Sequence, residues 1–123
     1  MSKINKLEKK QISSLISLYN SGALDKVEKY VKNLIKKYSK ELILHIILGA
    51  AYAGQGKLQK SINSYNNAIK IDPNYAETYN NLGNVLHEQG KFDEAIENYK
   101  KSLELNPNNE HAKMKIQSLG NNE

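Results

Sequence analysis

NNLGNVLHEQGKFDEA, residues 80–95, is the stretch whose reading decides the fold. Leu82, Val85 and Leu86 recur at three- and four-residue spacing with Tyr79 before them, which places them on one face of a helix. That pattern stops at Gly90, where a glycine supplies a left-handed helix stop. A second pattern follows through Ala95, Ile96, Tyr99, Ser102 and Leu103 and ends at Asn106-Pro107, because the residue before a proline is driven out of helical geometry. Asp93 is placed to cap this second helix. Gly83 lies inside the first helix, where glycine costs about 1 kcal/mol relative to alanine. Close approach of a neighbouring helix at that point would offset the cost.

The stretch is one instance of a repeat. Gly49, Gly56, Tyr65 and Pro73 recur 34 residues later as Gly83, Gly90, Tyr99 and Pro107, and Gly22, Leu24 and Val31 stand 34 before Gly56, Leu58 and Tyr65. A fixed period of this length signals stacked supersecondary units. The frame is 8–41, 42–75 and 76–109, each unit two helices joined at a glycine. A phosphate-cradling reading of the Gly-Lys pairs fails on chemistry. AYAGQGKL at 51–58 has Ala51 in the first glycine position of the G-x-x-x-x-G-K-[ST] loop and Leu58 where a magnesium-binding hydroxyl belongs, and the pair returns at 90–91 with Val85 and Phe92 in those positions.

The bulk composition narrows the function classes. The 123 residues contain no cysteine, which excludes disulfide frameworks and thiolate metal sites, and His45, His87 and His111 are far apart in sequence. Lysines interrupt the N-terminal stretch, and no run approaches a membrane span, so no membrane insertion is expected and a cytoplasmic setting is the default. All eighteen basic residues are lysine, concentrated in residues 1–41 with ten against four acids, while residues 76–109 carry three against six. Lysine cannot form the bidentate fork that reads guanine edges, so no specific nucleic-acid partner is expected. Many asparagines and isoleucines accompany the lysines, as an AT-rich genome alone would produce. His87 and Glu88, adjacent on a helix, diverge by about 100 degrees and make no acid-base pair without a third group. Tyr52, Tyr65 and Tyr99 are packing residues and not base-stacking platforms.

These residues resemble the tetratricopeptide repeat (TPR) pattern, in which aromatic, Leu, Gly, Tyr, Ala, aromatic, Ala and Pro stand at positions 4, 7, 8, 11, 20, 24, 27 and 32. Residues 76–109 supply Tyr79, Leu82, Gly83, Leu86, Ala95, Tyr99, Ser102 and Pro107; residues 42–75 supply His45, Leu48, Gly49, Tyr52, Ser61, Tyr65, Ala68 and Pro73. Residues 8–41 are degenerate, with Ser14, Leu15 and Ser39 where Leu, Gly and Pro are expected. The resemblance implies an all-α helical-hairpin solenoid of three repeats. Residues 110–120 add a capping helix whose stripe Ala112, Ile116 and Leu119 packs back on Tyr99 and Leu103, with Lys113, Gln117 and Gly120 turned outward. Residues 1–7 form an extension and 121–123 a tail.

The resemblance also implies a non-enzymatic scaffold that binds a peptide or helix of a partner protein in a concave groove, with no cofactor, metal or catalytic residue. Groove positions in its register include Ile12 and Ile16; Ile43, Ile46, Ala50, Ala53 and Gly54; Glu77, Asn80, Asn84, His87 and Glu88; and His111 and Met114. Exposed apolar patches mark interaction sites, which makes Ile12, Ile16, Ile43 and Ile46 the leading candidates. The alternatives are that residues 1–7 cover them or that they pack between helices. The carboxylate clamp of chaperone-tail binders needs Lys, Asn, Asn, Lys and Arg where this chain has Ile46, Ala50, Asn81, His111 and Lys115, so that role is rejected; the asparagine ladder of glycosyltransferase-type arrays keeps one rung, Asn81. Self-association through the groove or the solenoid ends is a further expectation. The rival readings are an N-terminal accessory domain or fragment of a larger enzyme, such as a sulfotransferase, glycosyltransferase or oxygenase, and lysine-driven, non-specific binding of RNA or an anionic surface through Lys26, Lys29, Lys32, Lys36, Lys37 and Lys40.

Overall fold

The computed structural model describes residues 7–120; the tail 121–123 and all of the 1–7 extension except Leu7 lie outside the described residues. Among the described residues the chain forms seven helices and no strand: α1 (Lys9–Asn20), α2 (Leu24–Lys37), α3 (Leu42–Gly54), α4 (Leu58–Ile71), α5 (Ala76–Glu88), α6 (Phe92–Leu105) and α7 (Glu110–Gly120). None of them is long and apolar enough to cross a membrane. Each helix packs against the next in sequence, and α3 also reaches α5, which is the stacking of a helical solenoid.

Turn chemistry separates the helices where the sequence places its glycines. Gly22, Gly56 and Gly90 have φ of 86°, 77° and 81°, a region costly for any side chain with a Cβ. After α3 the amide of Gly56 donates to Ala53 O at 3.0 Å and that of Lys57 to Tyr52 O at 2.9 Å. After α5 the amides of Gly90 and Lys91 donate to His87 O and Leu86 O, both at 2.9 Å. Two nested bonds of this kind satisfy carbonyls that a helix end leaves unpaired. The longer connections are shaped by prolines and side chains. Asp72 and Asn106, each before a proline, are extended, and their side chains accept the amides of Asn74 and Asn108. Asn109 caps α7 by accepting the Ala112 amide at 3.1 Å. The expectation for Asp93 is corrected: α6 starts at Phe92 with Lys91 in the cap position and no side-chain cap bond, so Asp93 falls in the first turn, where its charge favours the helix dipole without capping it.

The core is built as two clusters that meet at α3. Leu15, Val27, Val31, Leu34, Leu44, Leu48 and Tyr52 belong to the first, and Tyr65, Leu82, Val85, Leu86, Ala95, Tyr99, Ala112 and Leu119 to the second. The outward face of α7 is exposed at Lys113, Gln117 and Gly120, while Ala112 and Leu119 are buried against the α6 cluster. The role of Gly83 is resolved in detail. A Cβ built there falls 2.7 Å from the Cε1 of Tyr99, and one built on Gly49 falls 2.6 Å from the Cε1 of Tyr65. The close approach is therefore that of a tyrosine ring from the following helix and not of its backbone. Behind each ring a buried serine hydroxyl closes a polar contact: Ser61 donates to Gly49 O at 2.7 Å and Ser102 to Ala76 O at 2.9 Å.

One partly buried charge cluster ties α2 to the α3–α4 turn. Glu28 accepts from Lys57 Nζ at 3.0 Å, Gln55 Nε2 at 3.1 Å and Lys32 Nζ at 3.3 Å. The hydrogen bond from Lys57 outweighs the opposing effect of burial, and with Gln55 and Lys32 it lowers the Glu28 carboxyl from the ordinary 4.5 to about 2.

Two outcomes follow from this packing. Gly83→Ala should destabilise the wild type although alanine favours helix, since the fully buried Tyr99 ring cannot yield; in a Tyr99→Val background the same change should become neutral or stabilising by about 1 kcal/mol, read as a coupling in urea denaturation. For Glu28, the folded-state value lies below the unfolded one, so its contribution is complete above about pH 4.5 and is lost as pH falls towards about 2. Glu28→Gln should cost about 1 kcal/mol at neutral pH and should flatten that acid-side loss when denaturation midpoints are compared across pH.

Candidate functional site

A cavity of about 490 Å³ opens between α1, α3 and α5, within the volume range of ligand pockets. Ile16 and Tyr19 come from α1, Ile43, Ile46, Ile47, Ala50, Ala53 and Gly54 from α3, Tyr65 from α4, and Glu77, Asn81, Asn84, Val85 and Glu88 from α5. The first helix of each pair thus supplies nearly all of the lining, and the surface passes from apolar on α1 and α3 to polar on α5.

The sequence-based candidates divide into two groups. Ile16, Ile43, Ile46, Ala50, Ala53, Gly54, Glu77, Asn81, Asn84 and Glu88 do line the cavity; Ile12, Asn80, His87, His111 and Met114 do not. Ile12, on α1, packs against the first core cluster. Asn80 Oδ1 is taken up by Asn109 Nδ2 at 3.3 Å and His111 Nδ1 at 3.0 Å, so it holds α7 in place. His87 Nδ1 meets Lys115 Nζ at 3.1 Å, and its ring lies 5.5 Å from that of Phe92, beyond the cavity. Met114 is 65% exposed on α7, apart from the lining.

Exposure of the four leading isoleucines also differs from expectation. Ile16 is 47% exposed, Ile12 and Ile43 are half-buried, and Ile46 is only 6% exposed as a member of the second core cluster. The reason is the position of α3. Flanked by α2, α4 and α5, it is apolar around most of its circumference, so a residue of the groove floor is at the same time a core residue. Ile46 is buried floor and Ile16 is the open apolar wall.

Tyr19, Ile47, Tyr65 and Val85 line the cavity without having been singled out for it. Tyr19 is twelfth in the 8–41 frame, the position held by Ala53 in the next, so register alone could have found it. Tyr65 is 2% exposed and reads as pure core, yet it borders the groove; burial, reinforced by nearby Tyr19 and Glu77, pushes its phenol well up. On the polar wall, Tyr99 donates its hydroxyl to Asn84 Oδ1, leaving the amide nitrogen of Asn84 as a donor. Burial pushes the Tyr99 phenol up to about 12, so it stays a neutral donor. The cavity is equipped to bury apolar side chains on one side and to hydrogen-bond on the other.

Residues 49–90 match the family model described as TPR repeat, and residues 76–109 match the one described as tetratricopeptide repeat. No curated protein matches in sequence. Among solved structures the fold is similar to that of the Yersinia enterocolitica type III secretion chaperone SycD in complex with a peptide of the translocator YopD, at a TM-score of 0.86 with 18% identity over 91% of each chain. It is similar to the Sgt2 TPR domain from Aspergillus fumigatus, at 0.84 with 19% identity over 92% of this chain and 76% of that one. It is also similar to the second TPR domain of human RPAP3 in complex with the HSP70 peptide SGPTIEEVD, at 0.83 with 18% identity over 89% and 92%.

The burial pattern separates floor from wall by experiment. Ile46→Lys should cost about 3 kcal/mol or more, because a charge replaces a buried apolar side chain, whereas Ile16→Lys should stay within about 0.5 kcal/mol of wild type. Urea denaturation followed by circular dichroism reads both.

Proposed function

The chain belongs to the tetratricopeptide repeat family through residues 49–109, and from that premise we propose that it is a non-enzymatic adaptor that holds a peptide or helix of a partner protein in the groove between α1, α3 and α5. In this proposal the repeat units are 8–41, 42–75 and 76–109, α7 is the solenoid cap, and the setting is cytoplasmic. The observation that carries it is the cavity itself, open at Ile16, floored by Ile46 and Ala50 and faced by the amides of Asn81 and Asn84. Such a surface buries the side chains of a bound segment and hydrogen-bonds its backbone, the two requirements of peptide recognition. The solved complexes of SycD with a YopD peptide and of the RPAP3 domain with an HSP70 peptide support the reading by analogy of fold. Burying about 100 Å² of apolar surface would be worth roughly 2.5 kcal/mol, more than an exposed lysine pair supplies, which favours the groove over the lysine face of α2.

The test is a comparison of wild type with Ala50→Arg, which fills the cavity from a half-buried position, and with Phe92→Asp, which alters an exposed apolar residue outside it. Proteins retained from the source cell by the wild type and by Phe92→Asp should be lost with Ala50→Arg while circular dichroism shows all three folded. Retention by Ala50→Arg would remove the groove as the site. Sedimentation of the same three proteins places any self-association: dimers that dissociate only in Ala50→Arg use the groove, and dimers that persist use another surface.

A further inference from the structure

The chain is strongly basic, with 18 lysines against 13 acids, yet the charged residues lining the groove are Glu77 and Glu88, with no lysine among them. Both carboxylates are exposed, and among the described residues neither takes part in an ion pair; the three pairs present are Lys32–Glu28, Lys57–Glu28 and Lys113–Glu110. They stand eleven residues apart on α5, which returns them to the same helix face about 16 Å apart along the axis. Asn81 and Asn84 lie between them on that face, so the α5 wall reads carboxylate, amide, amide, carboxylate, opposite the apolar wall of Ile16 and Ile43. The field of Glu77 is felt inside the groove, where it adds to burial in raising the Tyr65 phenol. An acidic tail such as SGPTIEEVD, which the RPAP3 domain binds, would meet charge of its own sign here.

We propose that the groove selects a basic, amphipathic peptide segment: apolar side chains seated on Ile16, Ile46 and Ala50, with lysine or arginine side chains about 16 Å apart reaching Glu77 and Glu88. This rests on the adaptor reading and adds to it the partner's chemistry. The spacing corresponds to about five residues in an extended segment or eleven in a helical one. Apolar contact supplies affinity, and the two carboxylates supply sign selection and orientation. Two exposed ion pairs amount to about tenfold in affinity.

Phage-displayed random 12-residue peptides selected on the full chain test this. Peptides selected by the wild type should combine apolar residues with an excess of lysine and arginine over the input library. Their affinity, measured by fluorescence anisotropy, should weaken about tenfold in Glu77→Gln/Glu88→Gln and fall below detection in Ala50→Arg. Peptides without basic excess, or peptides lost in Ala50→Arg but unchanged in the double glutamine variant, would overturn the charge assignment and leave the groove reading standing. Selected peptides that bind Ala50→Arg as tightly as wild type, or a selection that yields none, would overturn both.

Discussion

A tyrosine ring lying against a glycine that has no Cβ is the contact on which the molecule depends. Tyr65 on α4 occupies the space over Gly49 on α3, and Tyr99 on α6 that over Gly83 on α5, in each case closer than a methyl group would permit. Close-packed interiors tolerate neither overlap nor void, so this pairing determines how near the two helices of a hairpin stand. The same rings connect core to groove. Tyr65 borders the cavity, and Tyr99 extends its hydroxyl to Asn84 on the polar wall. In the first hairpin the equivalent positions hold Leu15 and Val31, both fully buried in one cluster. A larger residue in place of glycine is matched by a smaller one in place of tyrosine, so the volume is redistributed across the interface instead of being lost.

Helix α3 carries the second constraint. It is the meeting point of the two core clusters and contributes six of the residues that line the cavity. A helix packed on several sides must be apolar nearly all round, and its segment LILHIILGAAYAG contains no lysine, aspartate or glutamate. The groove inherits this apolar character as a consequence of burial. Polar character is therefore displaced to α5, the next first helix along the stack, where the cavity-facing side carries Glu77, Asn81, Asn84 and Glu88. In the proposed adaptor, affinity and selectivity would be divided between neighbouring helices because one of them is committed to the core.

Much of the fold was legible in the sequence because its determinants are local and periodic. The glycine stops at 22, 56 and 90, the proline-bounded ends of α4 and α6, and the apolar stripes of α5 and α6 each follow from backbone geometry within a few residues. The 34-residue register also identified the helices that line the groove, and with them all of the cavity residues except Tyr19, Ile47, Tyr65 and Val85. It went wrong where the outcome depends on which neighbour takes up a side chain. Asp93 has the chemistry of a cap but lies two residues past the cap position, Asn80 has a groove register but is captured by Asn109 and His111, and His87 turns to Lys115 and Phe92.

The sequence by itself determined the seven helices, their pairing through glycine turns and the change from an apolar to a polar groove, since periodicity and turn chemistry act along the chain. Tertiary structure alone decided that Ile46 is buried floor while Ile16 is open wall, and that Tyr65 serves core and cavity together. Those outcomes depend on how closely α1, α3 and α5 stack. A one-dimensional pattern states which face of a helix a residue occupies, but the distance to the next helix determines whether that face is solvent, cavity or core.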